Sequence, residues 1–235
     1  MPPSAYAAAR VPETPQVSSP DHVIYVVDDE RSVRDSLYEL LSSLDRHVIT
    51  FSCATDYIVS VKADLPACLV LDIELPDING LELQRQLSSA RHPPIVFISG
   101  HGDVPSTVRA IKAGAIDFLP KPFGREALLN AIDAAIARDR LAIQAHGELT
   151  RLRERHALLT SREREAFTLV VSGMLNKQAA AVLGISEVTM QVHRGKVMHK
   201  MGAQSFADLI RMAERLGIPV GEAHRLTRGP NSPHL

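Results

Sequence analysis

Five short apolar runs, none of them alternating, restrict the fold of this chain more than any other feature. They are His22–Val27 (HVIYVV), His47–Phe51, Cys68–Leu71 (CLVL), Ile95–Ile98 (IVFI) and Ile116–Leu119. Each is followed by a segment with helical spacing: Arg31–Leu44, Ala54–Val61, Leu81–Leu87, Pro105–Ala113, and a longer one that opens at Ala127–Ala137. A strand with one face in water alternates, whereas a strand that is apolar throughout is covered on both faces, as in a parallel sheet. Five such strand–helix units in series predict an α/β doubly wound, five-stranded parallel sheet, whose ligand site lies at the carboxyl ends of its strands.

Those ends carry an unusual set. Asp28 and Asp29 follow the first run, Asp72 the third, Ser99 the fourth and Lys121 the fifth. Any one of them is explained by loop exposure; five at matching strand ends are not. Clustered carboxylates repel one another and select a hard cation with oxygen ligands, which points to Mg²⁺. Asp72 is placed to act as a nucleophile toward phosphorus and form an aspartyl phosphate. Lys121 and the cation would neutralise charge on the phosphoryl oxygens. The Ser99 hydroxyl would donate to a phosphoryl oxygen only after modification, a bond able to bias a two-state loop.

The run VVDDE, Asp72 followed by Pro76-Asp77-Ile78-Asn79-Gly80, the segment ISGHGD and the segment FLPKPF together resemble the receiver domain of two-component response regulators, over residues 21–138. That resemblance implies a flavodoxin-like receiver fold, a cognate histidine kinase as phosphodonor, and Asp72 as phosphoacceptor. It implies Asp29 and Asp72 as direct Mg²⁺ ligands, the backbone carbonyl of Glu74 as a third, and Asp28 acting largely through water. Ser99 would be the hydroxyl switch, Phe118 the aromatic that changes rotamer with it, and the Lys121–Pro122 bond would be cis. The Glu74 side chain, two residues past the nucleophile, is expected to tune the lifetime of the aspartyl phosphate.

Outside this region the chain changes character. Residues 1–20 are rich in Pro, Ala and Ser, too poor in apolar surface to order themselves, and are expected to be a disordered leader. Residues 218–235 are expected to be a flexible tail. Charge is unevenly divided: Asp21–Ala137 carries 10 Lys+Arg against 17 Asp+Glu, while Arg151–Arg215 carries 11 against 6. Only the second part is suited to a polyanion. Between them Ile132–His156 has helical spacing with a broken apolar stripe at Ile136, Leu141, Leu149 and Leu152, and Gly147 interrupts it. Its part from 139 to 156 is expected to be a helical linker, either a solvated spacer or a coiled-coil seam with unsustained heptads.

Residues 157–217 predict an all-α unit. Leu159-Thr160-Ser161-Arg162-Glu163 contains a capping signature, with Thr160 or Ser161 as cap. An apolar face follows at Ala166, Phe167, Val170 and Val171, and Gly173 ends the helix. Asn176–Leu183 is a short second helix, Gly184-Ile185-Ser186 a tight turn, and Glu187–Met201 a third helix with Val188, Val192 and Met198 expected on its inner side. Ser205–Leu216 is the fourth. Helix, glycine-containing turn and helix make the helix-turn-helix pattern. The segments LTSREREAF, NKQAA, LGISEVTMQVHR and VMHKM resemble the LuxR-type DNA-binding domain. With the receiver ahead of it, the chain resembles the NarL/FixJ class. By that resemblance the third helix enters the major groove of double-stranded DNA. Thr189, Gln191, Val192 and Arg194 face bases or nearby phosphates, with Gln191 suited to adenine. Lys177, Lys196 and Lys200 contact phosphates. His193 is structural, and Gly195 departs from the bulkier residue usual there.

The reading favoured is a DNA-binding response regulator that takes phosphate on Asp72, forms a homodimer and regulates transcription, with contact to RNA polymerase if it activates. A phosphorylation-independent DNA-binding regulator with a silent receiver is the alternative. An aspartyl-phosphate phosphatase would need an acid/base Asp where Glu74 stands and would leave the second domain unexplained, so the chain is expected not to be an enzyme beyond the self-phosphorylation and dephosphorylation chemistry at Asp72. No apolar run approaches the ~18 residues needed to span a membrane, and no secretion signal is visible. Cys53 and Cys68 have neither metal-ligand spacing nor a disulfide framework. A cytoplasmic protein is expected.

Overall fold

The structure, a computed structural model, describes residues 20–89, 91–100 and 104–221. The expected leader through residue 19, the tail from residue 222, and His101-Gly102-Asp103 of the ISGHGD motif lie outside the described residues. The chain divides into two compact units, Met1–Leu141 and Ala142–Leu235.

The first unit contains β1 (Val23–Val27), α1 (Arg31–Ser42), β2 (Val48–Phe51), α2 (Ala54–Val59), β3 (Ala67–Asp72), α3 (Gly80–Leu87), β4 (Ile95–Ser99), α4 (Val104–Lys112), β5 (Asp117–Pro120) and the start of α5 (Arg125–Ala157). The sheet is parallel in every pair and ordered β2-β1-β3-β4-β5. Its apolar runs are continuous because both faces are covered. Tyr25, Leu69, Leu71 and Phe97 pack with Ala54, Tyr57, Leu83 and Ala110 of α2, α3 and α4 on one face. Ile24, Val26, Val70 and Ile98 pack with Leu37 and Leu41 of α1 and with Leu128 and Ile132 of α5 on the other.

Because the chain leaves β1 toward β2 and then crosses to β3, the direction of winding reverses between β1 and β3. A crevice must open there, outside the carboxyl ends of the strands. The register aligns Val27 with Leu71, so the next residues, Asp28 and Asp72, emerge side by side.

At the other end of the sheet, Asp139 of α5 is buried and accepts the Ala67 N–H (2.9 Å), and the Arg91 guanidinium lies 3.7 Å from its second oxygen. Arg140 reaches Asp21 at 3.2 Å. Helix α5 runs through Gly147 without a break, as the helical spacing of Ile132–His156 predicts. One glycine costs ~1 kcal/mol against alanine. Core side chains anchor the helix on either side of it, Ile136 in the first unit and Leu152 in the second. The stripe read as a possible seam is thus divided between two cores, and Leu141 is exposed.

In the second unit α6 (Ser161–Val171), α7 (Asn176–Leu183), α8 (Glu187–Met201) and α9 (Phe206–Arg215) enclose a core of Leu159, Phe167, Val170, Ala179, Met190, Val197, Met201 and Leu209. Thr160 caps α6 with Glu163 as its reciprocal partner. Gly184, at φ 66°, makes the left-handed turn between α7 and α8, and Ser186 caps α8 by accepting the Thr189 N–H. One expectation fails here. Val188 and Val192 lie on the outside of α8, while Met190, Val197 and Met201 face the core. Met198, the third position expected inside, does pack against that core; a helix of mixed composition gives no clear apolar stripe from which to set its rotation.

Candidate functional site

Among the described residues, Asp28, Asp29 and Asp72 place carboxylate oxygens within 4.8 Å of one another. Asp28 and Asp72 are buried and Asp29 is exposed. Lys121, reaching across from the end of β5, brings its Nζ to 2.7 Å from Asp28 and 3.4 Å from Asp72. Glu30, which the sequence reading passed over, is the third carboxylate on that ammonium, at 3.2 Å. Asp28 Oδ1 accepts the Glu30 N–H and Asp72 Oδ1 accepts the Ile73 N–H. The cluster is therefore polarised: one oxygen of each buried Asp is held by backbone, the other is turned to Lys121.

Burial pushes the Asp72 carboxyl up to about 6; the attraction of Lys121 opposes this and repulsion from Asp28 adds to it. Asp28 is likewise raised by burial against the pull of Lys121. Burial alone would lower Lys121, but its contacts with Asp28, Asp72 and Glu30 hold it above its ordinary value. Carboxylates resisting ionisation beside a cation are groups that would gain from a second cation. The donor set is all hard oxygen, so it fits Mg²⁺.

Supporting residues came to light only in three dimensions. Arg34 donates to the carbonyl oxygens of Asp28 and Asp29 (2.7 and 2.8 Å), clamping the loop after β1. Asp77 accepts the Ala54 and Thr55 N–H groups and the Thr55 hydroxyl, capping α2 from another loop because Cys53 supplies no side-chain cap. Burial would raise Asp77, yet these bonds prevail and hold it at about 2. Gly80 donates its N–H to Ile73 O, and a Cβ on it would lie 2.4 Å from the Asp72 carbonyl oxygen. The loop after β3 folds so tightly onto the Asp72 backbone that only glycine fits there.

Ser99 is buried at the end of β4, and its carbonyl accepts the Lys121 N–H at 2.7 Å. Phe118 is buried opposite Phe97, with ring centroids 6.4 Å apart. Glu74 is exposed two residues beyond Asp72, and the Lys121–Pro122 peptide is cis.

In the second unit Lys177, Thr189, Gln191, Val192 and Lys196 are exposed. Arg194 and Lys200 are engaged internally. The Arg194 guanidinium donates to Asn176 Oδ1 (3.2 Å) and lies 5.0 Å from the centre of the Phe206 ring, tying α8 to α7 and to the start of α9. Lys200 donates to Glu163 (2.6 Å) and to the Leu158 carbonyl (3.2 Å). Its bond, with the one from the Thr160 backbone N–H, holds the buried Glu163 at about 2. A phosphate contact by Lys200 would compete with that pair. Sequence reasoning recognised both residues as basic but had no signal for partners 18 and 37 residues away.

Residues 24–133 match the family of response regulator receiver domains, and residues 157–213 match the bacterial regulatory proteins of the luxR family. Nodulation protein W of Bradyrhizobium diazoefficiens is 46% identical over 197 residues, covering 83% of this chain and 87% of that protein. Response regulator protein TodT of Pseudomonas putida is 44% identical over 198 residues, 83% of this chain and 86% of its own. Among solved structures, the response regulator StyR is 43% identical with a TM-score of 0.74, over 83% of this chain and 99% of that one. Full-length FixJ from B. japonicum is 36% identical with a TM-score of 0.51, over 86% and 100%.

Proposed function

Since the chain belongs to the NarL/FixJ class of two-component response regulators, we propose that Asp72 accepts a phosphoryl group from a histidine kinase and that this modification controls dimerisation and binding of α8 to DNA. The observation that carries the reading is the meeting of Asp72 with Asp28, Asp29 and Lys121 at the crevice between β1 and β3.

Asp28, Asp29, Asp72 and the carbonyl of Glu74 would hold Mg²⁺, which when bound supplies positive charge to the phosphoryl oxygens. An oxygen of the ionised Asp72 carboxylate forms the bond to phosphorus as the bond from phosphorus to the kinase histidine breaks. Lys121, already beside Asp72, pairs with a phosphoryl oxygen and stabilises the charge there. The Ser99 hydroxyl donates to another, and the Phe118 ring, buried against Phe97, changes rotamer with it. The exposed Val108 and Ile111 of α4, with β5, then form the face that pairs two receivers. Dimerisation presents two α8 helices to two half-sites, and an activator would bring RNA polymerase to them.

Sedimentation velocity of the full chain with Mg²⁺ and beryllofluoride tests this. Wild type is expected to become a dimer and Asp72→Ala to stay unchanged. If both respond alike, Asp72 is not the acceptor.

A further inference from the structure

Over the first two turns and more of α8, the outward side carries no polar side chain at its centre. At about 100° per residue, Val188, Val192, Gly195 and His199 fall within about 60° of one another, opposite the buried Met190, Val197 and Met201. Val188 is 72% exposed and Val192 50% exposed. Gln191 and Lys196 flank this stripe on either side. The Thr189 hydroxyl is already bonded to Ser186 at 2.8 Å. The part of the helix that would enter deepest into a groove is therefore two β-branched methyl-bearing residues followed by a residue with no side chain.

None of the three is required by the fold. Val188 and Val192 stand one turn apart on the exposed side of the helix, and neither belongs to the core of the unit. A Cβ on Gly195 would meet no atom within 4 Å, so alanine would fit, and glycine in a helix interior costs stability. The exposed Lys196 beside the stripe, with the exposed Lys177 on α7, complements a polyanion, which decides what covers it. In the major groove, the one base feature that an apolar side chain reads is the C5 methyl of thymine.

We propose that Val188, Val192 and Gly195 form an apolar notch that selects thymine methyl groups in each half-site, Gly195 letting the helix backbone approach the base edges. This rests on the DNA-binding reading above and adds the chemistry by which the bases are chosen. Gln191, at the edge of the notch, would read the adenine of a neighbouring A·T pair, so the half-site is expected to be rich in A·T at the positions under the N-terminal half of α8.

The full chain, activated with Mg²⁺ and beryllofluoride, would be used to enrich duplexes from a random pool. Each thymine of the enriched half-site is then replaced by deoxyuridine, which removes only the methyl group. One or two of these replacements should weaken binding roughly three- to five-fold. That loss should disappear in Val188→Ala or Val192→Ala, which should unfold no lower than wild type because alanine favours the helix over valine. Gly195→Ala should unfold at a higher temperature yet bind the same duplex less tightly. Specific binding to an enriched duplex with no penalty at any deoxyuridine overturns the notch, as does a penalty that persists in both valine variants. Unimpaired binding by Gly195→Ala overturns the role of the glycine. Failure to enrich any duplex rejects DNA binding itself and the notch with it.

Discussion

The two units assemble their functional groups in opposite ways. In the sheet unit Asp28, Asp72, Ser99 and Lys121 stand at the ends of four strands, and the first three are buried. In the helical unit the exposed candidates sit mostly on one helix, with Lys177 alone on another. Buried charge is costly unless something compensates it, so a chain tolerates such residues only where they converge. Their types and spacing therefore announce a site. Exposed residues cost nothing, so their types announce only a surface, and the side that matters emerges once the packing is known. Arg194 and Lys200 show the difference: both read as surface cations, yet one braces Asn176 and Phe206 and the other pairs with Glu163.

Perturbing each unit should sharpen that contrast. The largest effect is expected at Asp72: incubated with a small-molecule phosphodonor and Mg²⁺, wild type should gain one phosphoryl group by intact mass and Asp72→Asn none. Incorporation into Asp72→Asn at the wild-type level would move the acceptor elsewhere. Gly80→Ala comes next, because its Cβ would press on backbone rather than on a side chain that can yield. Chemical denaturation should show a loss of about 1–3 kcal/mol in the sheet unit, with slower phosphorylation; an unchanged midpoint would mean that the loop relaxes freely.

Smaller effects are expected from the caps. Glu163→Ala removes the reciprocal cap of α6 and the partner of Lys200, and should cost the helical unit about 1–2 kcal/mol, seen as faster hydrogen exchange in α6 and α8. The same carboxylate gives a pH signature. Its folded value, about 2, lies below the ordinary value of 4.5, so its contribution is complete above the unfolded value and is lost as pH falls from about 4.5 toward 2. Over that window wild type should lose stability in the helical unit more steeply than Glu163→Gln; parallel curves would show that the pair contributes nothing. Asp77→Ala should have the mildest effect, fraying α2 by about 1 kcal/mol without disturbing the crevice carboxylates.

Much of this was legible beforehand. Continuous apolar runs encode coverage on both faces, so the parallel sheet followed from them, and the strand-end residues marked the crevice. Glu30, Arg34 and Asp77 were not legible, because each acts through backbone or through a partner that only the folded loops bring near. The inner side of α8 was misjudged because Val188 and Met190 are equally apolar on paper, and only the turn at Gly184 sets the rotation that separates them.

Asp139 bears on how the protein can be divided. A receiver fragment ended at residue 138, the boundary drawn from sequence, would stop one residue short of the carboxylate that accepts the Ala67 N–H, and would lose Arg140 from Asp21 as well. The fragment would leave the N–H of Ala67, the first residue of its central strand, without its acceptor, although the residue stays in register with Val23 of β1. Cutting after Leu141 keeps both tethers, so a difference of three residues should decide how firmly the amino end of the central strand is held to the last helix of the receiver.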